Sequence, residues 1–134
     1  MILPDLLIVD DEALVLFDMV MTAEELGYTV SGDCTSVPQA LRFLDKQTPD
    51  AALLDIDVGG TMVWPVARKL AERGSAIVFV SANRAHRELS GEFAQCHFID
   101  KPACATQIAG RLGDALAARK DNPDCQRRVA AMPG

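Results

Sequence analysis

Four apolar residues in a row, Ala51-Ala52-Leu53-Leu54, lead directly into a carboxylate, Asp55, with Asp57, Gly59 and Gly60 close behind. A run this short, with no polar alternation, reads as a strand buried on both faces, as in a parallel sheet sandwiched between helices. In open α/β sheets ligands bind in the crevice outside the carboxyl ends of the strands, which puts Asp55 where such a fold does its chemistry. The glycine pair leaves room for a ligand to approach the backbone.

The same layout recurs along the chain. Residues 5–10 (DLLIVD) are an apolar run ending in carboxylates, and Asp10, Asp11 and Glu12 open a helical stretch to about Leu26 that Gly27 stops. Residues 28–32 predict a short second strand. Ser36 as N-cap with Pro38 just inside begins a helix to about Lys46, closed by Thr48-Pro49. After the central strand, Val63, Val66, Ala67 and Leu70 make a helix face that Gly74 terminates. Trp64 lies off that stripe and is expected at the surface. Residues 76–80 (AIVFV) are a further strand with Ser81 at its end, residues 83–94 predict a short fourth helix, and residues 96–99 (CHFI) predict a fifth strand. Asp100-Lys101-Pro102 then leads into a last helix with Ile108, Leu112 and Leu116 on one face.

Five strands alternating with helices predict one α/β domain: a flavodoxin-like, doubly wound parallel sheet of order 2-1-3-4-5 with helices on both faces. The domain is expected over residues 1–119, with residues 120–134 as a flexible C-terminal tail. A chain of 134 residues that is 49% apolar can bury a core without disulfides. Its four cysteines show no CxxC pair, which fits reduced thiols in the cytoplasm. A net charge of -6 argues against a nucleic-acid partner. Neither a signal peptide nor an apolar span of membrane length is evident, so no membrane association is expected.

On that fold the strand ends gather Asp10, Asp11, Asp55, Ser81 and Lys101. Carboxylates about 5 Å apart at an effective dielectric near 20 repel by roughly 3 kcal/mol per pair, so such a cluster takes up protons or a cation. Mg²⁺ is the better match, because it prefers oxygen ligands, keeps several waters and accepts a phosphate oxygen. Lys101 offers a compact charge and Ser81 a hydroxyl for phosphoryl oxygens. An Asp carboxylate is itself a phosphoryl acceptor. The arrangement reads as metal-assisted phosphoryl transfer to Asp55.

The landmarks Ile8-Val9-Asp10-Asp11-Glu12, Leu53-Leu54-Asp55, Val80-Ser81-Ala82 and Phe98-Ile99-Asp100-Lys101-Pro102, spread over residues 5–119, resemble the receiver domains of response regulators in two-component signalling. The resemblance implies Asp55 as phosphoacceptor, Asp11 as a direct Mg²⁺ ligand, Asp10 acting mainly through water, and the backbone carbonyl of Asp57 as a further ligand. It also implies Ser81 and Lys101 on the phosphoryl oxygens, Ser81 and Phe98 as the switch pair, and a cis Lys101-Pro102 bond. The phosphodonor would be a histidine kinase or a histidine phosphotransfer protein in a phosphorelay. Turnover would be limited to the domain's own phosphorylation and dephosphorylation.

Three features depart from the family pattern. Val58-Gly59-Gly60 stands where a Met-Pro pair is common, Asp57 adds an acidic group two places beyond the acceptor, and Phe98 lacks the hydroxyl of the commoner Tyr. Two other readings of the chain are a phosphorylation-independent interaction domain on the same fold and a haloacid-dehalogenase-type phosphatase. The first leaves the acidic set and Lys101 unexplained. The second expects Gly and Thr directly after the Asp55-Ile56-Asp57 motif, where Val58 and Gly59 stand. On the first helix, Val15, Met19, Thr22 and Leu26 form the expected inward stripe. Leu14, Phe17 and Met21 form a second stripe, expected to dock a kinase helix or a dimer partner unless the last helix covers it. Because only a short polar tail follows the domain, a stand-alone receiver is expected, with output to a downstream protein through its own surface.

Overall fold

The computed structural model describes residues 4–83, 91–93 and 96–121. Its elements are β1 (Asp5–Val9), α1 (Ala13–Glu25), β2 (Thr29–Cys34), α2 (Val37–Lys46), β3 (Ala51–Asp55), β4 (Asp57–Val58), β5 (Thr61–Met62), α3 (Trp64–Glu72), β6 (Ala76–Ser81), a 3-10 turn (Gly91–Phe93), β7 (His97–Asp100) and α4 (Ala105–Asp121). Five strands form one parallel sheet in the order β2-β1-β3-β6-β7, while β4 and β5 pair as a separate antiparallel hairpin. Numbering the sheet strands alone gives 2-1-3-4-5, the expected order. Most of the segment expected as a fourth helix lies outside the described residues, as do residues 122–134 of the expected tail. Within the described part α4 continues through Asp121, two residues into that tail.

Alternation of side chains along the central strands builds a core on each face. Leu7, Val9, Ala52, Leu54, Ile77 and Phe79 face α2 and α3, where Ala40, Leu44, Val66 and Leu70 cover them. Leu6, Ile8, Leu53, Val78 and Val80 face α1 and α4, meeting Leu16, Met19, Ala23, Ile108 and Leu112. A strand buried on both faces has no use for polar alternation, which is why the run 51–54 is uniformly apolar. Fully burying one Leu or Val side chain is worth about 1.5–3 kcal/mol, so the helices are held mainly by this packing.

Local chemistry sets the element ends. Ser36 Oγ accepts from the Gln39 N–H at 3.2 Å, with Pro38 in the first turn of α2. Gly27 (φ 100) and Gly74 (φ 77) take the left-handed conformation that ends α1 and α3. β2 runs to Cys34, two residues beyond the expected strand. Gly32 lies so close under the Phe43 ring that a Cβ would come within 2.6 Å of it, so this strand position serves a close packing contact that favours glycine.

Two further expectations are corrected. Of the expected inward stripe of α1, Met19 is buried and Val15 packs against the core, but Leu26 is exposed and the other buried residues are Leu16 and Ala23. Trp64 is half-buried, stacked on Phe93 at 5.7 Å and edge-on to Phe79 at 5.6 Å. The apolar surface it covers comes from distant strands, which helical periodicity does not register.

Candidate functional site

Three parallel strands deliver the site. β1 ends just before Asp10, β3 ends on Asp55 and β7 ends just before Lys101. In register, Val9 pairs with Leu54, and Asp55 pairs with Val80 of β6, whose Ser81 pairs with Asp100. All the chemistry-bearing groups therefore reach the same edge of the sheet. Carboxylate oxygens of Asp10, Asp11 and Asp55 all lie within 4.8 Å of one another.

The three carboxylates have different surroundings. Asp10 is fully buried, its Oδ2 accepting from Lys101 Nζ at 2.6 Å and its Oδ1 from the Glu12 N–H at 2.9 Å. Asp55 is 6% exposed, with Oδ2 at 3.5 Å from Lys101 Nζ. Asp11 is exposed. Burial, followed by the neighbouring Asp10 and Asp11 carboxylates, pushes the Asp55 carboxyl up to about 7 against the opposing pull of Lys101. Burial disfavours the Lys101 ammonium, but its hydrogen bond to Asp10 and the charges of Asp55 and Asp10 outweigh it and raise its pKa above the ordinary lysine value. An all-oxygen donor set whose charges exceed the single lysine they surround fits a hard divalent cation such as Mg²⁺. With both Asp10 oxygens already accepting hydrogen bonds, Asp11 and Asp55 hold the more available oxygens.

Asp11, Asp55 and Lys101 line a pocket of about 230 Å³, and Glu12, Asp57, Gly59, Gly60 and Ala82 complete its wall. Ser81 is buried at the end of the neighbouring strand, with its hydroxyl donating to the Asn83 carbonyl at 3.0 Å and accepting from the Asn83 N–H at 3.2 Å. Lys101 is fixed by its N–H on the Ser81 carbonyl at 2.9 Å, and the Lys101-Pro102 bond is cis, as the resemblance implied. Phe98 stands on the opposite side of β7 from the buried Ile99 and stacks on Phe79 at 5.3 Å. Leu14 (85% exposed), Phe17 (64%) and Met21 are open to solvent, so α4 does not cover them. Of these, Leu14 lines a groove of about 500 Å³ that reaches Lys101, Pro102 and Ala103. Sequence reasoning missed the hairpin geometry that brings Gly59 beside Asp11; the Gly59-Gly60 pair itself was its only signal.

Fold and site together define a doubly wound α/β domain with an acidic, lysine-bearing pocket at the carboxyl edge of its sheet. Over residues 6–112 the sequence matches the family described as response regulator receiver domain, and the chain belongs to that family. The structure is similar to the signal receiver domain of a modulated diguanylate cyclase from Desulfovibrio desulfuricans, with TM-score 0.78 and 26% identity over 88% of this chain and 97% of that one. It is similar also to a response regulator receiver protein from Sinorhizobium medicae, with TM-score 0.77 and 26% identity over 87% and 97%. A CheY-like receiver domain from Methanospirillum hungatei, at 20% identity over 89% and 98% and TM-score 0.78, shares the fold. No curated protein matches the sequence. Receiver domains are phosphoaccepting signalling modules, typically non-enzymatic, that bind Mg²⁺ at an acidic pocket and engage phosphodonors such as histidine kinases and downstream targets. Among the described residues no helix is long and apolar enough to cross a membrane.

Proposed function

We propose that the domain is a cytoplasmic switch phosphorylated on Asp55 by a histidine kinase or a histidine phosphotransfer protein. The observation that carries this reading is the meeting of Asp10, Asp11 and Asp55 oxygens within 4.8 Å, with Lys101 Nζ at 3.5 Å from Asp55. An Asp55 oxygen forms the new bond to phosphorus as the bond from phosphorus to the donor breaks. Lys101, already held by Asp10, balances the charge of the incoming phosphoryl oxygens without having to be drawn from bulk solvent. Ser81 exchanges its local bond with Asn83 for one to a phosphoryl oxygen. Asp11, Asp55 and the Asp57 carbonyl would hold Mg²⁺ directly, with Asp10 acting through water; when bound, the ion supplies charge neutralisation for the phosphoryl group.

The exposed stripe of Leu14, Phe17 and Met21 and the groove beside it suit the docking of an amphipathic donor helix next to Asp55. Glu12 and Asp18 on the groove favour a basic helix and disfavour a second copy of this acidic chain. Output is a contact with a downstream protein, made by the surface around β7. The reading is tested by intact-mass analysis after incubation with acetyl phosphate and Mg²⁺. A labile gain of one phosphoryl group that disappears in Asp55→Asn is expected; an unchanged gain in that variant would refute the acceptor assignment.

A further inference from the structure

Gly59 and Gly60, at the tip of the hairpin formed by β4 and β5, both have positive φ (62 and 90), the conformation that a two-residue hairpin loop requires. Val58 pairs with Thr61 and Asp57 with Met62, and one step nearer the sheet the Val63 N–H donates to the Ile56 carbonyl at 2.9 Å. Antiparallel ladders alternate between hydrogen-bonded and non-hydrogen-bonded pairs. With Ile56 in a bonded pair, Asp57 falls in a non-bonded one, so its carbonyl faces out of the ladder, away from β5. The hairpin base is anchored by the buried side chains of Ile56, Val58 and Val63. Its tip is exposed and has no such anchor.

What holds the tip is the side chain two residues beyond the acceptor. In a two-residue turn the N–H of the second loop residue has no ladder partner, and here Asp57 Oδ1 accepts from the Gly60 N–H at 2.8 Å. The tip lies against the acidic site: a Cβ on Gly59 would be 3.8 Å from Asp11 Cβ. Among the described residues, the carboxylates that converge within 4.8 Å are Asp10, Asp11 and Asp55, without Asp57.

We infer that the Asp57 side chain is a positioning residue: by bonding the Gly60 N–H it locks the hairpin tip beside Asp11 and fixes the outward-facing Asp57 carbonyl at the rim of the acidic pocket. The carbonyl serves the divalent cation, and the carboxylate serves the turn. This rests on the assignment of that cation to the acidic cluster under the proposed function. Asp57→Asn and Asp57→Ala remove the same charge, but only Asn retains an oxygen able to accept from the Gly60 N–H.

In ion-free protein, the Gly60 amide is expected to exchange about threefold to tenfold faster in Asp57→Ala than in wild type, the range that one net hydrogen bond supports. In Asp57→Asn it is expected to stay near the wild-type rate. Calorimetric titration with Mg²⁺ is expected to give a Kd weaker by a similar factor for Asp57→Ala than for Asp57→Asn, with thermal unfolding verifying that both variants are folded. Equal affinities in the two variants, or an unaccelerated Gly60 amide in Asp57→Ala, would overturn the positioning role. Wild-type protein that bound no Mg²⁺ would overturn the cation assignment beneath it, whereas exchange in ion-free protein reads the clamp on its own.

Discussion

Asp10 and Asp55 show how two carboxylates at the ends of adjacent strands acquire different tasks. Asp10 is completely buried, yet the 2.6 Å contact with Lys101 and the Glu12 N–H compensate its charge. Asp55 shares that lysine at 3.5 Å, and its carboxyl is pushed up to about 7, first by burial and then by its acidic neighbours. An unfolded Asp titrates near pH 4. Between that value and about 7 the unfolded chain releases a proton that the folded chain keeps, so in the absence of metal stability falls across this window. The accumulated loss at neutral pH is of order 4 kcal/mol. Asp55→Asn abolishes this titration and removes a repelling charge. Urea unfolding without divalent ions is expected to show the variant more stable than wild type above about pH 7, with the gap closing as the pH approaches about 4. A gap independent of pH would rule out this account of Asp55.

Among the elements, α1 carries two apolar stripes and the sheet takes only one. Leu16, Met19 and Ala23 pack inward, while Leu14 and Phe17 stand in solvent, Leu14 on the groove leading to Lys101. Leu14→Lys and Phe17→Lys are expected to slow phosphoryl transfer from a histidine kinase at least tenfold, since each places a charge where a donor helix must pack, and to leave labelling by acetyl phosphate within about twofold. Equal loss with both donors would assign these residues to the fold instead of to docking. The presence of two stripes and the side left in solvent were legible in the sequence, but the exact inward set, with Leu16 and Ala23 in it and Leu26 out of it, was not. That set is chosen by the strands and α4, whose placement no local pattern contains. Strand order and the site at Asp10, Asp55 and Lys101 were legible for the opposite reason. Asp10 and Asp55 sit immediately after apolar runs and Lys101 just past the strand end at Asp100, so locating the strands located the site. Trp64 escaped because its contacts with Phe79 and Phe93 join residues that local sequence cannot pair; the hairpin of β4 and β5 is local and marked by Gly59-Gly60, but its placement beside Asp11 is not.

At the scale of the whole molecule, a chain of aromatic contacts runs from the site's flank across one face of the sheet. Trp64 opens α3 directly after the hairpin and stacks on Phe93; Phe93 packs at 5.6 Å on Phe79, and Phe79 stacks on Phe98. Ser81 ends the strand that carries Phe79, and its hydroxyl is engaged with Asn83. On the proposed function, drawing that hydroxyl toward a phosphoryl group on Asp55 would break the local bond and change the end of β6 against which β7 is paired through Ser81 and Asp100. A partner that distinguishes the two arrangements gains the differential affinity that makes a switch, typically about 1–3 kcal/mol. Phe98 has no hydroxyl, so any part it takes in the proposed switch would be a change of packing against Phe79. Amide exchange in residues 91–93 and 96–100 is therefore expected to change by about fivefold or more when beryllofluoride and Mg²⁺ are added, within the coupling range just given. Ser81→Ala is expected to retain Mg²⁺ binding and lose most of that response. A response confined to residues 57–62, with β7 unaffected, would place the output surface at the hairpin and away from the aromatic face.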